Sequence, residues 1–281
     1  MAPRISAVIN TFNEERNLPY ALRSVKQWVE EIVVVDMHSQ DRTVEIARQF
    51  GAKVCLHEGP GFDYAPREFA IAQASGEWTF VLDADELAPI GLSRELRSIA
   101  EQDKTDVVLI PRRNYASGAA LKHGGFGPEE DYQARFFRPD KILASSVAHR
   151  DFLPAAGSRV LRLPYKPGQA IEHFAFPDYS SWFERMNRYT TIEARQSLAR
   201  GKRTGAFRAL SKSLRTFLRL YIRRRGYRDG WRGFYFSLGS AFYVLVVHAK
   251  LTELLLAGPR ERTIASYQAE AERILGEYGE Q

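Results

Sequence analysis

Trp78-Thr-Phe-Val-Leu-Asp-Ala-Asp-Glu86 is the stretch on which the fold of this chain turns. Five residues suited to a buried strand run directly into two carboxylates spaced Asp-x-Asp. From one tight turn such a pair suits a hard divalent cation that keeps waters and takes phosphate oxygens. A cation placed there can neutralise a departing nucleoside diphosphate. Asp-rich turns also cap helices, so the triplet acquires its meaning from what surrounds it.

Outward from this stretch, short β-branched runs alternate with helical patterns, which predicts an α/β fold with a parallel sheet and crossover helices. Strands are expected at Ile5 to Thr11, Glu31 to Asp36, Lys53 to Leu56, Trp78 to Leu82 and Val107 to Pro111. Helices are expected at Asn17 to Val25, Thr43 to Phe50, Pro66 to Ala74 and Gly91 to Gln102, with Asp41 and Ser93 as N-terminal caps. Ligands of such a sheet bind beyond the carboxyl ends of its strands. Polar clusters fall there: Thr11-Phe12-Asn13-Glu14-Glu15, Asp36, and Asp83-Ala84-Asp85.

From Ala116 to Gly168 the pattern breaks into Gly- and Pro-rich pieces around Tyr132 to Arg138, which alternates like a strand and could form an acceptor-binding edge. From Tyr179 the chain reads as helices, first Ser180 to Leu198 and then Phe207 to Arg225. Two regions are therefore expected, an α/β domain over 1–178 and a helical one over 179–281.

The chain has 281 residues, 44% of them hydrophobic, enough for a sizeable core and against general disorder. Cys55 is the single cysteine, which excludes an intrachain disulfide and a cysteine-rich metal site and fits a reducing compartment. No apolar leader precedes Ile5, so a cytoplasmic location is expected. The net charge of +6 is unevenly spread. Residues 195–232 carry 13 Lys and Arg against 1 acidic residue, whereas 1–194 carry 23 against 27. The basic segment calls for an anionic partner.

That segment is amphipathic. Phe207, Leu210, Leu214, Phe217, Leu218, Tyr221 and Ile222 recur at helical spacing, with Arg208, Lys212, Arg215, Arg219 and Arg223 on the other side. An anionic membrane surface attracts such a face at about 1 kcal/mol per basic residue. Phe234 to Leu256 is the most apolar stretch, with His248, Lys250 and Glu253 toward one end. Those charges favour an interfacial or buried helix over a span.

The first half resembles glycosyltransferase family 2. The likeness rests on Ile-Asn-Thr-Phe-Asn-Glu-Glu at 9–15, Ile-Val-Val-Val-Asp at 32–36, Asp-Arg-Thr at 41–43, Arg67, Ala70 to Gly76, and Phe80 to Glu86. It implies a GT-A, Rossmann-like fold and inverting transfer from a nucleotide-sugar, UDP-linked, with Mg or Mn. It also implies that Thr11, Asn13, Glu14, Asp36 and Arg67 hold the nucleotide, with Asp83 and Ala84 beside the ribose, and that Asp85, with Asp83, holds the metal.

The later chain is similar to the branch that adds sugars to the lipopolysaccharide core, through Asp131 to Arg138, Val147-Ala-His149 and His173 leading into Trp182 to Ala194. Two positions depart from that pattern: Glu68 stands where relatives carry Asn, and His149-Arg150-Asp151 where they carry His followed by Glu. Inverting transfer needs a carboxylate to take the acceptor proton, for which Asp151 and Asp131 are the candidates. His149 and His173 are candidates to complete the metal site.

The expected partners are a nucleotide-sugar, a glycolipid or glycan acceptor, and the anionic inner face of the cytoplasmic membrane, with no nucleic acid. A polyprenyl-phosphate sugar synthase shares these features. A nucleic-acid-binding protein would account for the basic segment but leaves Asp83-Ala84-Asp85 unexplained. A nucleotidyltransferase wants a Gly-rich loop followed by Lys where this chain has Thr11 to Glu15. A catalytically dead scaffold would have no reason to keep the triplet.

Overall fold

The structure, a computed structural model, describes residues 2–58, 65–144, 152–203 and 205–278. Within its α/β part the strands are β1 (Ile5–Thr11), β2 (Glu31–Asp36), β3 (Lys53–Leu56), β4 (Trp78–Asp83), β5 (Glu86–Leu87) and β6 (Val107–Ala116). They continue with β7 (Ala119–Ala120), β8 (Tyr132–Phe137), β9 (Ile142–Ala144), β10 (Phe152–Pro154), β11 (Val160–Arg162) and β12 (Ile171–Phe176). The helices among them are α1 (Leu18–Val25), α2 (Thr43–Gln49), α3 (Ala65–Ala72) and α4 (Ile90–Gln102).

The main sheet runs β3-β2-β1-β4-β8-β6-β12-β5, with β7 and β11 also pairing β6. The parallel core of β3, β2, β1 and β4 matches the expectation; β1, β2 and β4 are buried on both faces, whereas the edge strand β3 is partly exposed. Ile5, Ala7 and Ile9 pack toward α1 and α4, whereas Val8, Val33 and Val35 pack with Ala70 of α3. The sheet is mixed rather than all-parallel, because β8 runs antiparallel between β4 and β6.

Two local expectations give way to tertiary context. Ser93 is not a cap: α4 begins at Ile90 behind Pro89, and the buried Ser93 hydroxyl donates to the Ile90 carbonyl inside the first turn. Asp41 does act at its helix start, accepting from the Thr43 amide at 3.0 Å. The strand expected at Val107 to Pro111 continues to Ala116, which carries Arg112 and Asn114 onto the sheet facing the cleft.

After β12 the described chain is helical: α5 (Tyr179–Ala199), α6 (Ala206–Leu218), α7 (Gly230–Leu256) and α8 (Arg260–Gly276). Asp178 caps α5 by accepting from the Ser181 amide at 2.7 Å. The helix expected through Arg225 leaves the α form at Leu218 and finishes as a π turn over Arg219–Arg223. Trp182, Met186 and Phe236 join α5 and α7 to Ala116 and Leu121 at the end of the sheet. Gly239 of α7 lets that junction close, since a Cβ there would fall inside the Trp182 ring. Gly239→Ala is expected to cost about 1–3 kcal/mol by overpacking, read as a lower denaturation midpoint at unchanged m value.

Contrary to the expected single apolar stripe, α6 splits its large residues. Phe217 and Tyr221 stack on one another and meet Phe234 of α7 edge-on. Phe207, Leu210, Leu214, Leu218 and Ile222 are exposed, Phe207 to 86%. Nearer the start of α6, Ala209 and Ser213 are buried, and the Ser213 hydroxyl donates to the Ala241 carbonyl of α7 at 2.8 Å.

Helix α7 with the turn before it, Gly226–Leu256, is long and apolar enough to cross a membrane by length and composition. Its Lys250 does not stand bare. The ammonium donates to the Asn187 carbonyl, Thr190 and Thr191 of α5 at 2.6–2.8 Å, and burial pushes its pKa down.

Candidate active site

The carboxyl ends of β1, β4, β6 and β12, with the amino end of the antiparallel β8, open into a cleft of about 740 Å³, whose far wall is made by α5, α6 and α7. Its floor is the Asp83-Ala84-Asp85 turn. Glu86 closes that turn by accepting from the Asp83 amide at 2.9 Å, and is itself fully buried.

Strand register brings sequence-distant polar groups to this floor. Arg112 and Asn114 occupy alternate positions on β6, and Gln133 and Arg135 on β8, so each pair shares one face. His173 of β12 lies in register with both Asn114 and Glu86.

Asp83 is held by two guanidinium groups. Arg135 donates to its Oδ2 at 2.7 Å and Arg67 to its Oδ1 at 2.7 Å. Burial opposes the Asp83 charge, but Arg135 and Arg67 outweigh it and hold the carboxyl well below its usual range. Arg135 also lies 3.6 Å from Glu86, which Arg112 approaches at 3.1 Å.

Asp85 faces different partners. His173 Nε2 stands 3.5 Å from its Oδ2, and Arg185 of α5 donates to the same oxygen at 3.2 Å. Burial again works against ionisation, yet His173 and Arg185 bring the carboxyl down to about 2. The amide nitrogen of Asn114 donates to Asp131 and to the Phe126 carbonyl, each at 2.8 Å. The Asn114 oxygen is thereby left to accept from His173 Nδ1 at 2.6 Å. That bond gives His173 a proton on Nδ1; protonated at Nε2 as well, the ring faces Asp85 as a cation, and when neutral it turns the Nε2 lone pair toward the same point.

Asp131 accepts from Arg112 at 2.9 Å, Asn114 at 2.8 Å and Gln133 at 2.6 Å. Burial opposes its charge, and Arg112 with these hydrogen bonds lowers its pKa overall. Glu14 goes the other way: burial raises its carboxyl, and Asp85 and Asp83 add to the rise.

A divalent cation fits this donor set in part. Asp85 and His173 present an oxygen and a nitrogen side by side, while the Asp83 carboxylate, expected as a second ligand, is taken up by Arg67 and Arg135. Among the described residues no cluster of three or more His, Cys, Asp or Glu forms a metal cage. A cation with one or two protein ligands, its other positions filled by phosphate oxygens and water, suits such a floor.

Of the residues expected at the site, Glu14, Arg67, Asp83, Ala84, Asp85 and Asp131 line the cleft, as does His173. Thr11, Asn13 and Asp36 do not. Asp36 is buried, and accepts from the Thr11 hydroxyl at 3.0 Å and the Ser39 amide at 2.8 Å. Asn13, with φ at 56°, accepts from the Gln40 amide at 2.8 Å. These three tie the loop after β1 to the loop after β2 beneath the cleft. His149 and Asp151 lie outside the described residues. Sequence reasoning passed over Glu86, Arg112, Asn114, Arg135 and Arg185. The available signal was a polar residue at every second position of otherwise apolar strands, as in Arg112-x-Asn114 and Gln133-x-Arg135.

Comparison with known proteins gives the family. The family model for glycosyl transferase family 2 matches residues 6–157. An uncharacterized glycosyltransferase of Rickettsia felis is 28% identical over 267 residues, covering 90% of this chain and 91% of the relative. The lipopolysaccharide core biosynthesis glycosyltransferase LpsC of Rhizobium meliloti is 28% identical over 264 residues, covering 89% and 93%. Among solved structures, glucosyl-3-phosphoglycerate synthase from Mycobacterium tuberculosis in complex with Mn2+ and UDP-glucose is 15% identical, with a TM-score of 0.47 over 72% of this chain and 81% of that one.

Proposed function

The chain belongs to glycosyl transferase family 2, and on that premise we propose an inverting, metal-dependent transfer of a sugar from a UDP-sugar to a membrane-linked glycan or glycolipid of the lipopolysaccharide-core kind. The observation that carries this reading is the Asp83-Ala84-Asp85 turn on the cleft floor, with Asp85 and His173 turned to one point and Arg67 beside them. LpsC, similar over nearly its whole length, supplies the acceptor class.

The roles divide as follows. Glu14 and Arg67 contact the nucleotide, and the loops tied by Thr11, Asn13 and Asp36 shape its pocket. Asp83, fixed by Arg67 and Arg135, orients the ribose. Asp85 and His173 hold the metal, which when bound stabilises the charge that develops on the departing diphosphate. Asp131, kept ionised by Arg112, is the described carboxylate that takes the acceptor proton, and Asp151 is its competitor for that role.

A donor screen tests the premise. Uridine nucleotides are expected to raise the melting temperature more than guanosine or cytidine nucleotides, and only with Mg or Mn present. At a hundredfold excess over Kd the gain is about 2.7 kcal/mol. Equal, metal-independent shifts with all three would overturn the assignment.

The helical region supports attachment to the inner membrane surface from the cytoplasm. Helix α6 meets α7 through small residues and Phe217 and turns its leucines outward, the reverse of a helix that closes a water-soluble core. Arg208, Arg215 and Arg223 are exposed beside that apolar row. Binding to vesicles should therefore rise with anionic lipid and fall with salt, leaving a salt-resistant part. Arg208→Glu with Arg215→Glu and Arg223→Glu should remove the salt-sensitive part, and Leu214→Gln with Leu218→Gln the resistant part. Equal binding to neutral and anionic vesicles, or tighter binding to RNA, would sink this attachment.

A further inference from the structure

Asp85 Oδ2 is claimed from two sides. His173 Nε2 faces it at 3.5 Å from the sheet, and the Arg185 guanidinium donates to it at 3.2 Å from α5 on the opposite wall. The first contact joins two groups able to hold a metal. The second sets a permanent cation, one that does not give up its proton, on the oxygen the metal needs.

The guanidinium groups around the floor differ in how firmly they are held. Arg135 keeps 1% of its side chain exposed and meets both Asp83 and Glu86, and Arg112 meets both Glu86 and Asp131. Arg185 keeps 32% exposed and reaches Asp85 through Nη2, with its guanidinium over the Phe176 ring at 5.0 Å. Trp182 and Met186 of α5 are buried in the junction with α7, which fixes the helix and leaves movement to the Arg185 side chain.

Two cations on one carboxylate oxygen repel, and in a partly buried cleft that repulsion is weakly screened. A guanidinium that gives up Asp85 still needs a counter-charge. A diphosphate bound beside the same metal brings one within reach, and its paired oxygens suit the guanidinium fork. We propose that Arg185 competes with the divalent cation for Asp85 and passes to the donor's diphosphate when both bind. The metal alone is then held weakly, and metal and nucleotide are held tightly together, because each removes an obstacle to the other. The diphosphate in this proposal rests on the transferase reading.

The test measures manganese binding to the full-length chain by electron paramagnetic resonance of the free ion, and UDP binding by calorimetry at saturating manganese. In Arg185→Gln, manganese alone should bind about tenfold tighter or more, while UDP binds about tenfold weaker. A residue that only supported the fold would weaken both. Arg185→Lys, which keeps the charge without the fork, should leave manganese alone as weak as in the native chain and still weaken UDP. Unchanged or weaker manganese binding in Arg185→Gln overturns the competition, and unchanged UDP binding overturns the handover. Manganese binding that survives Asp85→Ala places the ion elsewhere and overturns both. In all three results the native chain still binds UDP. A native chain that binds no uridine nucleotide with manganese present removes the donor reading itself, and the proposal with it.

Discussion

Asp85→Ala should lower sugar transfer at least about a thousandfold while the chain stays folded. Asp85 is the carboxylate on the cleft floor that is not locked by a pair of guanidinium groups, as Arg67 and Arg135 lock Asp83, and it faces His173 Nε2 at 3.5 Å. Removing it deletes the oxygen that would fix the metal against the leaving diphosphate. The strand ending at Asp83 and the turn closed by Glu86 do not depend on its side chain, since Glu86 bonds the Asp83 amide. Stabilisation by UDP should therefore persist in weakened form and lose its dependence on Mg or Mn. The measurements are turnover at saturating metal and thermal shift with and without the cation. A folded variant that keeps near-normal turnover would show that the metal, and with it the chemistry, belongs elsewhere.

The largest effect on stability is expected at Arg135. Its side chain is 1% exposed, and it compensates Asp83 and the fully buried Glu86 together. Arg135→Met keeps most of the volume and leaves both carboxylates facing a site that has lost its main counter-charge. Breaking one side of a buried ionic cluster costs about 3–5 kcal/mol, which lowers the melting temperature of a chain this size by roughly 10 °C. Arg273 is the control. It too pairs with two carboxylates, Glu270 and Glu277, but on the solvent face of α8 with 61% of its side chain exposed. Arg273→Met should leave the denaturation midpoint essentially unchanged. Equal costs at the two positions would mean that the Arg135 cluster is held by packing and not by charge.

Both predictions turn on the difference between what local patterns specify and what register specifies. The bounds of β1, β2 and β3 agree with the strand patterns in the chain, because each is a short apolar run punctuated by turn chemistry. The placement of Asp83 and Asp85 beyond β4 follows from the same logic, since the triplet continues the strand directly. Ser93 shows the limit. A good capping residue lies inside a helix that Pro89 starts earlier, because capping preference is small beside the burial of Leu92 and Leu96.

The sequence by itself determined the α/β core, the carboxylate turn at its mouth, the family and the lopsided charge of residues 195–232, for these are written in neighbouring residues and short periods. Only the tertiary structure decided which groups surround Asp83 and Asp85. Arg112, Asn114, Arg135 and His173 reach the floor because β6, β8 and β12 pair in one register, and a shift of a single residue would turn their side chains to the other face. It also decided that α6 presents small residues and Phe217 to α7 and leucines to its surroundings. Helical periodicity marks an apolar stripe and a basic one, but it does not say which stripe a neighbouring helix will cover.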